Sequence, residues 1–343
     1  NVSELDIEDA QKIYEKLPSS IRVDDFMYKH SEDEKFSMFE MMGKNVRGIL
    51  SRERVKTVLE RIRKKSSDGF EIVALTTYLS INNSALSTDI LFAYLGTTDY
   101  AHVKTLIVTA QGYLTELDVT LWPDAIDQDY YNIRSHLFLY HANSILRTTY
   151  KDNFRQIIRR FILNVPPYRI FKNYIFKRSA YDASMFFNLF GSDAHDLYHA
   201  IYQFDSSAYT LQQWALYKAY LQDYSGAFSD IDKAINMNQN NFSIKNTRAI
   251  ILFEANKGKK SEPALAGMTE AMDTLQQCFN SDKRKVYHAK KYSEFALYLA
   301  KEWNEFQYIP QAKQWLETII SSGESTSRAT RDLLKDVIDL VSK

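Results

Sequence analysis

Residues 211–241, LQQWALYKAYLQDYSGAFSDIDKAINMNQNN, decide the fold. Read at helical period, they form two antiparallel helices joined near Tyr224. Ala215 in the first and Ala227 in the second are small enough to let the backbones approach closely. Ile231, Ala234 and Ile235 continue the apolar face, and the polar run NMNQNN ends it. No side chain in the stretch is arranged for catalysis, so it reads as a packing unit.

The small positions resemble those of the tetratricopeptide repeat, whose period is about 34 residues. The pattern restarts at FSIKNTRAIILFEANK, where Ala249 lies 34 residues after Ala215. The array is irregular: Gln239 stands where the repeat has Pro, and Lys218 where it favours an aromatic. GKKSEPALAG is expected to break the second unit before MTEAMDTLQQCFN. The helices RKVYHAKKYSEFALYLAKEWNEF and IPQAKQWLETIIS follow, then a capping helix in STSRATRDLLKDVIDLVSK. Residues 206–343 are therefore expected to be a TPR-like α-solenoid, whose concave surface suits a protein partner.

Composition agrees with helix elsewhere. Gly 10 and Pro 6 are few for 343 residues, against the many tight turns of an all-β protein. Lys+Arg 43 balances Asp+Glu 43, so any acidic or nucleic-acid partner must be met by a local patch. The single Cys278 makes no internal disulfide, which fits a reducing, cytoplasmic setting. No apolar run reaches the length of a membrane span, so no membrane partner is expected. The opening NVSELDIEDAQKIYEKLPSS is neither a signal peptide nor a natural start, and the chain reads as a piece of a longer protein.

The fold class read from the sequence is all-α. Residues 1–68 form a helical lead-in, with a short helix stopped before Pro18. One or two amphipathic helices then carry Phe36, Met38, Phe39, Met42, Val46, Ile49 and Leu50, followed by Val55, Val58, Leu59 and Ile62. Residues 69–150 read as a winged-helix-like domain: an apolar helix FEIVALTTYLSI, a helix capped at Ser87 or Thr88 and ended by Gly96, and a third helix over 99–117. YYNIRS would be a wing strand leading into HLFLYHANSILRTTY. The third helix lacks the Arg and Lys density that phosphate anchoring needs, so DNA reading is not expected of it.

Residues 151–205 are expected to be basic linker helices. Between Arg147 and Arg178 there are nine basic residues against one acid, Asp152. Lys151, Arg155 and Arg159 recur every four residues on one helix face, opposite Phe154, Ile157, Ile158, Phe161 and Ile162. That face is either solvated, paired with acids elsewhere in the fold, or a binding surface for an acidic partner. VPP at 165–167 ends the helix.

Chemistry-bearing motifs are absent or incomplete. HDLYH, His195 to His199, has the spacing of a zinc helix, yet Asp196 replaces the metalloprotease Glu and no third ligand follows. The alternative is two histidines on a helix packed beside Tyr198 and Phe204. KGKKS at 257–261 lacks the glycine spacing of a phosphate loop, and Cys278 has only distant His288 as a partner. No catalytic residue, metal site or cofactor is assigned, and the chain is read as a non-enzyme.

The order of a lead-in FEMMGKNVRGILSRERVKTVLERI, a winged helix with YNIRSHLFLYHANSIL, and the repeat WALYKAYLQDYSGAFSDIDKAINMNQNNFSIKNTRAIIL resembles a known arrangement. It is similar to the region after the nucleotide-binding domain of bacterial STAND-type P-loop NTPases, including those of antiphage defence. The resemblance implies a winged helix that closes on ATP or ADP held by the parent protein, and C-terminal repeats that sense a protein trigger such as a phage protein. It also implies a homo-oligomer of the parent and an effector outside this chain. By the same likeness, Arg134 and His136 of IRSH approach the nucleotide phosphates; the alternative is that His136 caps the next helix or packs in the core. Two other readings remain, a TPR-containing transcriptional regulator and a plain protein-interaction scaffold.

Overall fold

The structure, a computed structural model, describes residues 4–5, 7–19, 22, 26, 36–37, 41–42, 52–118, 126, 128–281, 285–324 and 327–341. Helices dominate and strands are confined to short pairings, so the class is all-α. Backbone contacts divide the chain into Asn1–Ala180 and Tyr181–Lys343. The division falls inside the stretch 151–205, so its first helices belong with the residues before them.

In the first unit, β1 (Glu4–Leu5) pairs antiparallel with β2 (Phe36–Ser37), and α1 (Ile7–Lys16) lies between them in sequence. Phe36, expected at the head of an amphipathic helix, is thus in a strand paired with Leu5. Met38, Phe39, Val46, Ile49 and Leu50 of that expectation lie outside the described residues. Helix α2 (Arg52–Lys65) buries Val55, Leu59 and Ile62 as their spacing predicts.

Helix α3 (Ser67–Ile81) is buried from Gly69 to Leu79 with the exception of Glu71, and is accordingly central. Ser66 starts it by accepting the Gly69 N–H at 2.9 Å. Its Tyr78 is fully buried and meets three phenylalanines edge-on: Phe154 and Phe161 of α7 (Lys151–Asn164), and Phe176 of α8 (Asn173–Ala180). The Tyr78 hydroxyl donates to the Ala180 carbonyl at 3.1 Å, so the ring is buried without an orphaned polar atom.

Between α3 and α7 the order is β3 (Leu86–Ser87), α4 (Thr88–Leu95), α5 (Tyr100–Ala110), β4 (Leu114–Glu116), β5 (Tyr130–Ile133) and α6 (His136–Thr148). The sheet is antiparallel in the order β3-β5-β4, with Leu86 opposite Tyr131 and Leu114 opposite Ile133. Ser87 and Asp99 cap α4 and α5, and Gly96 ends α4 at φ 66°. The third helix stops at Ala110 and does not run to Leu117. After Gly112 the backbone bonds instead to the far strand: Arg134 N–H donates to Tyr113 O at 2.9 Å, and Leu117 N–H to Tyr130 O at 2.8 Å. The expected single wing strand is therefore the middle of three.

The second unit begins with α9 (Ala183–Phe190), a 3₁₀ turn (Gly191–Ala194) and α10 (His195–Phe204). Helical hairpins follow: α11 (Ala208–Tyr220) with α12 (Tyr224–Met237), α13 (Phe242–Asn256) with α14 (Glu262–Ser281), and α15 (Lys285–Trp303) with α16 (Ile309–Ser321). Helix α17 (Arg328–Val341) packs on the last pair. Ala215 and Ala227 are fully buried in the first hairpin, and Ala249 nearly so in the second. The expected break GKKSEPALAG is shorter than read, because α14 already begins at Glu262 and includes EPALAG; Pro263 is tolerated in the first turn, where an N–H has no helical partner.

Polar side chains lie inside this apolar stack. Lys218 Nζ sits 2.6 Å from Asp230 Oδ2 across the first hairpin, with the side chains only 12% and 7% exposed. The same ammonium stands 4.5 Å from the centre of the Trp214 ring. Gln212 Nε2 donates to Thr247 Oγ1 at 2.7 Å and to Ser243 O at 3.1 Å, joining α11 to α13. Asn246 Oδ1 and His288 Nδ1 meet at 2.7 Å, joining α13 to α15. Ring stacking completes the joints, Phe253 on Phe295 at 3.8 Å and Phe279 on Trp315 at 3.7 Å.

Lys218→Met is expected to cost about 3 to 5 kcal/mol by leaving Asp230 buried beside only a more distant cation, whereas Lys218→Met with Asp230→Leu should recover most of the loss. Denaturant midpoints of the two variants check this; equal losses would mean the pair is not desolvated. Ala227→Leu should cost about 1 to 3 kcal/mol by overpacking the hairpin crossing, measured as a fall in melting temperature.

Candidate functional site

The turn from β5 into α6 carries IRSH. Ser135 caps α6, its hydroxyl accepting the Phe138 N–H at 3.3 Å. The cap is therefore Ser135 and not His136, and His136 does not pack in the core: Arg134 and His136 are both exposed, on either side of the capping residue. Their donors and the first N–H groups of α6 share one end of the helix, where positive partial charge collects.

Helix α7 presents the two faces read from its spacing. Phe154, Ile157, Ile158, Phe161 and Ile162 are buried; Lys151 is exposed, while Arg155 and Arg159 are half-buried. Arg155 Nη1 lies 3.8 Å from Asp152 Oδ1. Much of the surrounding positive charge is used inside the fold. Arg160 pairs with Glu71 of α3 at 3.1 Å, donates from Nε to the Tyr94 carbonyl of α4 at 3.1 Å, and stands 4.6 Å over the Tyr94 ring. The Tyr94 hydroxyl donates to Glu71, and burial followed by that carboxylate holds the phenol far above its usual range. Arg169 pairs with Asp89 at 2.7 Å, and burial lowers the Arg147 guanidinium. The excess of cations between 147 and 178 is thus partly balanced by acids from distant sequence.

The histidines of HDLYH are exposed on α10 and lean on one ring: His195 lies 5.5 Å and His199 6.2 Å from Trp214, centre to centre. Tyr198 between them is buried, packed on Phe186 and Tyr217, while Phe204 is exposed. In the KGKK loop, Lys260 pairs with Glu302 at 3.0 Å, and the Gly258 N–H donates to Tyr298 at 2.8 Å. Cys278 is buried, its thiol 3.5 Å from the Phe242 carbonyl.

Sequence reasoning missed a cavity of about 390 Å³ where the turn between α7 and α8 meets Tyr130 of β5. Tyr168, Arg169, Phe171, Lys172 and Asn173 line it with that tyrosine. Two bonds fix the turn: Ser84 Oγ donates to the Phe171 carbonyl at 2.7 Å, and Arg169 holds Asp89. Lys172 adopts φ 52°, a left-handed conformation that costs energy in a residue with a Cβ. The sequence clue was PYRIFKNY, aromatics alternating with cations after a Pro pair, which the charge count absorbed into the basic run.

No protein-family model matches the chain, and no curated protein matches it. Among the described residues no helix is long and apolar enough to cross a membrane.

Arg160→Ala should destabilise the first unit by about 1 to 3 kcal/mol, since it takes the cation from Glu71, which keeps only the Tyr94 hydroxyl, and leaves the Tyr94 carbonyl with the longer bond from Asn164. Lys151→Ala should stay within about 0.5 kcal/mol. Chemical denaturation of both variants reads the difference, and matching midpoints would remove Arg160 from its structural role.

Proposed function

We propose that the chain is a non-catalytic regulatory and sensor segment of a STAND-type NTPase of the antiphage defence kind. The observation that carries this reading is the order helix, strand, helix, helix, strand, strand over α3 to β5. With β5 between β3 and β4, that order fits a winged helix, and a run of stacked helical hairpins follows it in sequence. In this reading the hairpins are a TPR-like solenoid that binds a protein trigger. Arg134 and His136 face the phosphates of ATP or ADP held by the parent protein, and trigger binding releases oligomerisation and effector activation. Their exposed position at the start of α6 is compatible with donating to an anion.

A DNA-reading winged helix is the weaker alternative, because Lys104 is the only Lys or Arg on α5. Lys151, Arg155 and Arg159 are proposed to meet an acidic surface of the parent protein or its trigger, a contact that speeds encounter and weakens with salt.

The test is trigger-dependent assembly of the full-length protein, read by light scattering with nucleotide present. Arg134→Ala with His136→Ala should abolish assembly while leaving the far-ultraviolet circular dichroism unchanged. Lys151→Glu, Arg155→Glu and Arg159→Glu together should slow assembly most at low salt. A parent sequence without a phosphate loop, or assembly indifferent to nucleotide, would overturn the reading.

A further inference from the structure

The three-stranded sheet ends at β4, which pairs with β5 alone among the described residues. The bonds from Leu117 N–H to Tyr130 O and from Arg134 N–H to Tyr113 O fix which residues turn toward β5. Alternation therefore turns the N–H and C=O of Glu116 toward the open side, where neither group is bonded among the described residues. Thr115 and Glu116 are exposed, so this is an uncovered strand edge of the kind that accepts another strand.

Charge and aromatic rings gather beside it. Glu116 stands opposite Tyr131 in a pair without mutual hydrogen bonds, the arrangement that brings opposite side chains closest on one face. The Tyr131 hydroxyl donates to Asp129 Oδ2 at 3.4 Å. Burial, then Asp129 and Glu116, push the Tyr131 phenol up to about 12, and Tyr100 of α5, 51% exposed, acts on it in the same direction. No cation offsets these groups at the phenol. From Thr105 to Ile133 the sequence has no Lys, Arg or His, against Glu116, Asp118, Asp124, Asp127 and Asp129. Lys104, 5.7 Å from the centre of the Tyr100 ring, borders the surface.

Charge also selects the occupant. A second copy of this edge would bring like carboxylates together, and a nucleic acid would bring phosphates to an acidic surface, so both are disfavoured. A Lys or Arg side chain gains from the carboxylates and from the tyrosine faces. We propose that the β4 edge docks an extended, basic segment of a partner protein as a further strand, its backbone bonded to Glu116 and a Lys or Arg side chain set against Glu116, Asp129 and the Tyr100 and Tyr131 rings. The site lies on the first unit and needs neither the nucleotide nor the trigger of the proposed function.

The test uses the purified chain and fluorescein-labelled heptapeptides that alternate Lys with Val or Glu with Val, read by anisotropy. The Lys peptide should bind about tenfold more tightly than the Glu peptide, and N-methylation of its central amides should cost about tenfold. Glu116→Gln with Asp129→Asn should weaken the Lys peptide about tenfold at low salt and flatten its salt dependence, with the melting temperature unchanged. Tyr100→Ala should weaken it about threefold, and Tyr140→Ala, at another exposed aromatic, should leave it intact. Equal binding of the Lys and Glu peptides, indifference to N-methylation or to the double variant, or no binding at about 1 mM would overturn the proposal. Preference for duplex DNA over every peptide would overturn it too, in favour of a DNA-reading wing.

Discussion

The second unit depends on desolvating Lys218 and Asp230 together. Each charge is costly to bury between packed helices, so the register of α11 on α12 that brings the two side chains to 2.6 Å is favoured over registers that part them, although Lys233 also stands 3.7 Å from Asp230. Close packing at Ala215 and Ala227 sets how near the helices approach, and the ion pair adds a directional preference to it. Gln212 with Thr247 and Asn246 with His288 repeat the device between α11, α13 and α15 with neutral partners. A stack of amphipathic hairpins is held together by apolar area, while its alignment is chosen by a few buried polar contacts.

Electrostatics work differently in the first unit. There the basic helix α7 is locked by Arg160 to Glu71 and to the backbone of α4, and the turn after it by Arg169 to Asp89. Tyr78 supplies the apolar counterpart, with α7 and α8 packing their phenylalanines around one phenol. Among the described residues of the first unit, the outer face of α7, the IRSH turn and the hollow at Tyr130 differ from this locked interior. These are distinct surfaces with distinct chemistry, a cationic stripe, a helix start and an aromatic pocket.

The sequence made helices legible wherever apolar spacing was long and capped. The Ser87 and Gly96 signals bound α4, the VPP run stops α7, and the buried face of α7 matches its periodicity residue for residue. The four-residue strand β5 was legible in YYNIRS, but its partners were not, since β3 and β4 are too short for alternation to register and are defined by pairing with residues far along the chain. Lys218 looked like a flaw in a repeat because its partner lies in the other helix of the hairpin. The cavity was hidden for a related reason. Its Lys172 conformation and its unsatisfied Arg169 and Asn173 atoms belong to tertiary structure, and local composition showed only a basic run.

The strand pairing of Leu86 with Tyr131 has a kinetic consequence. Closing that sheet brings together residues separated by α4, α5 and β4, so loop-closure entropy must be met before the β3–β5 pairing rewards it. The hairpins of the second unit face no such delay, as each helix packs mainly on its neighbours in sequence and can add to a growing stack. During synthesis the unit made first is thus the one that waits on distant contacts, and the unit made last can condense step by step as each hairpin emerges.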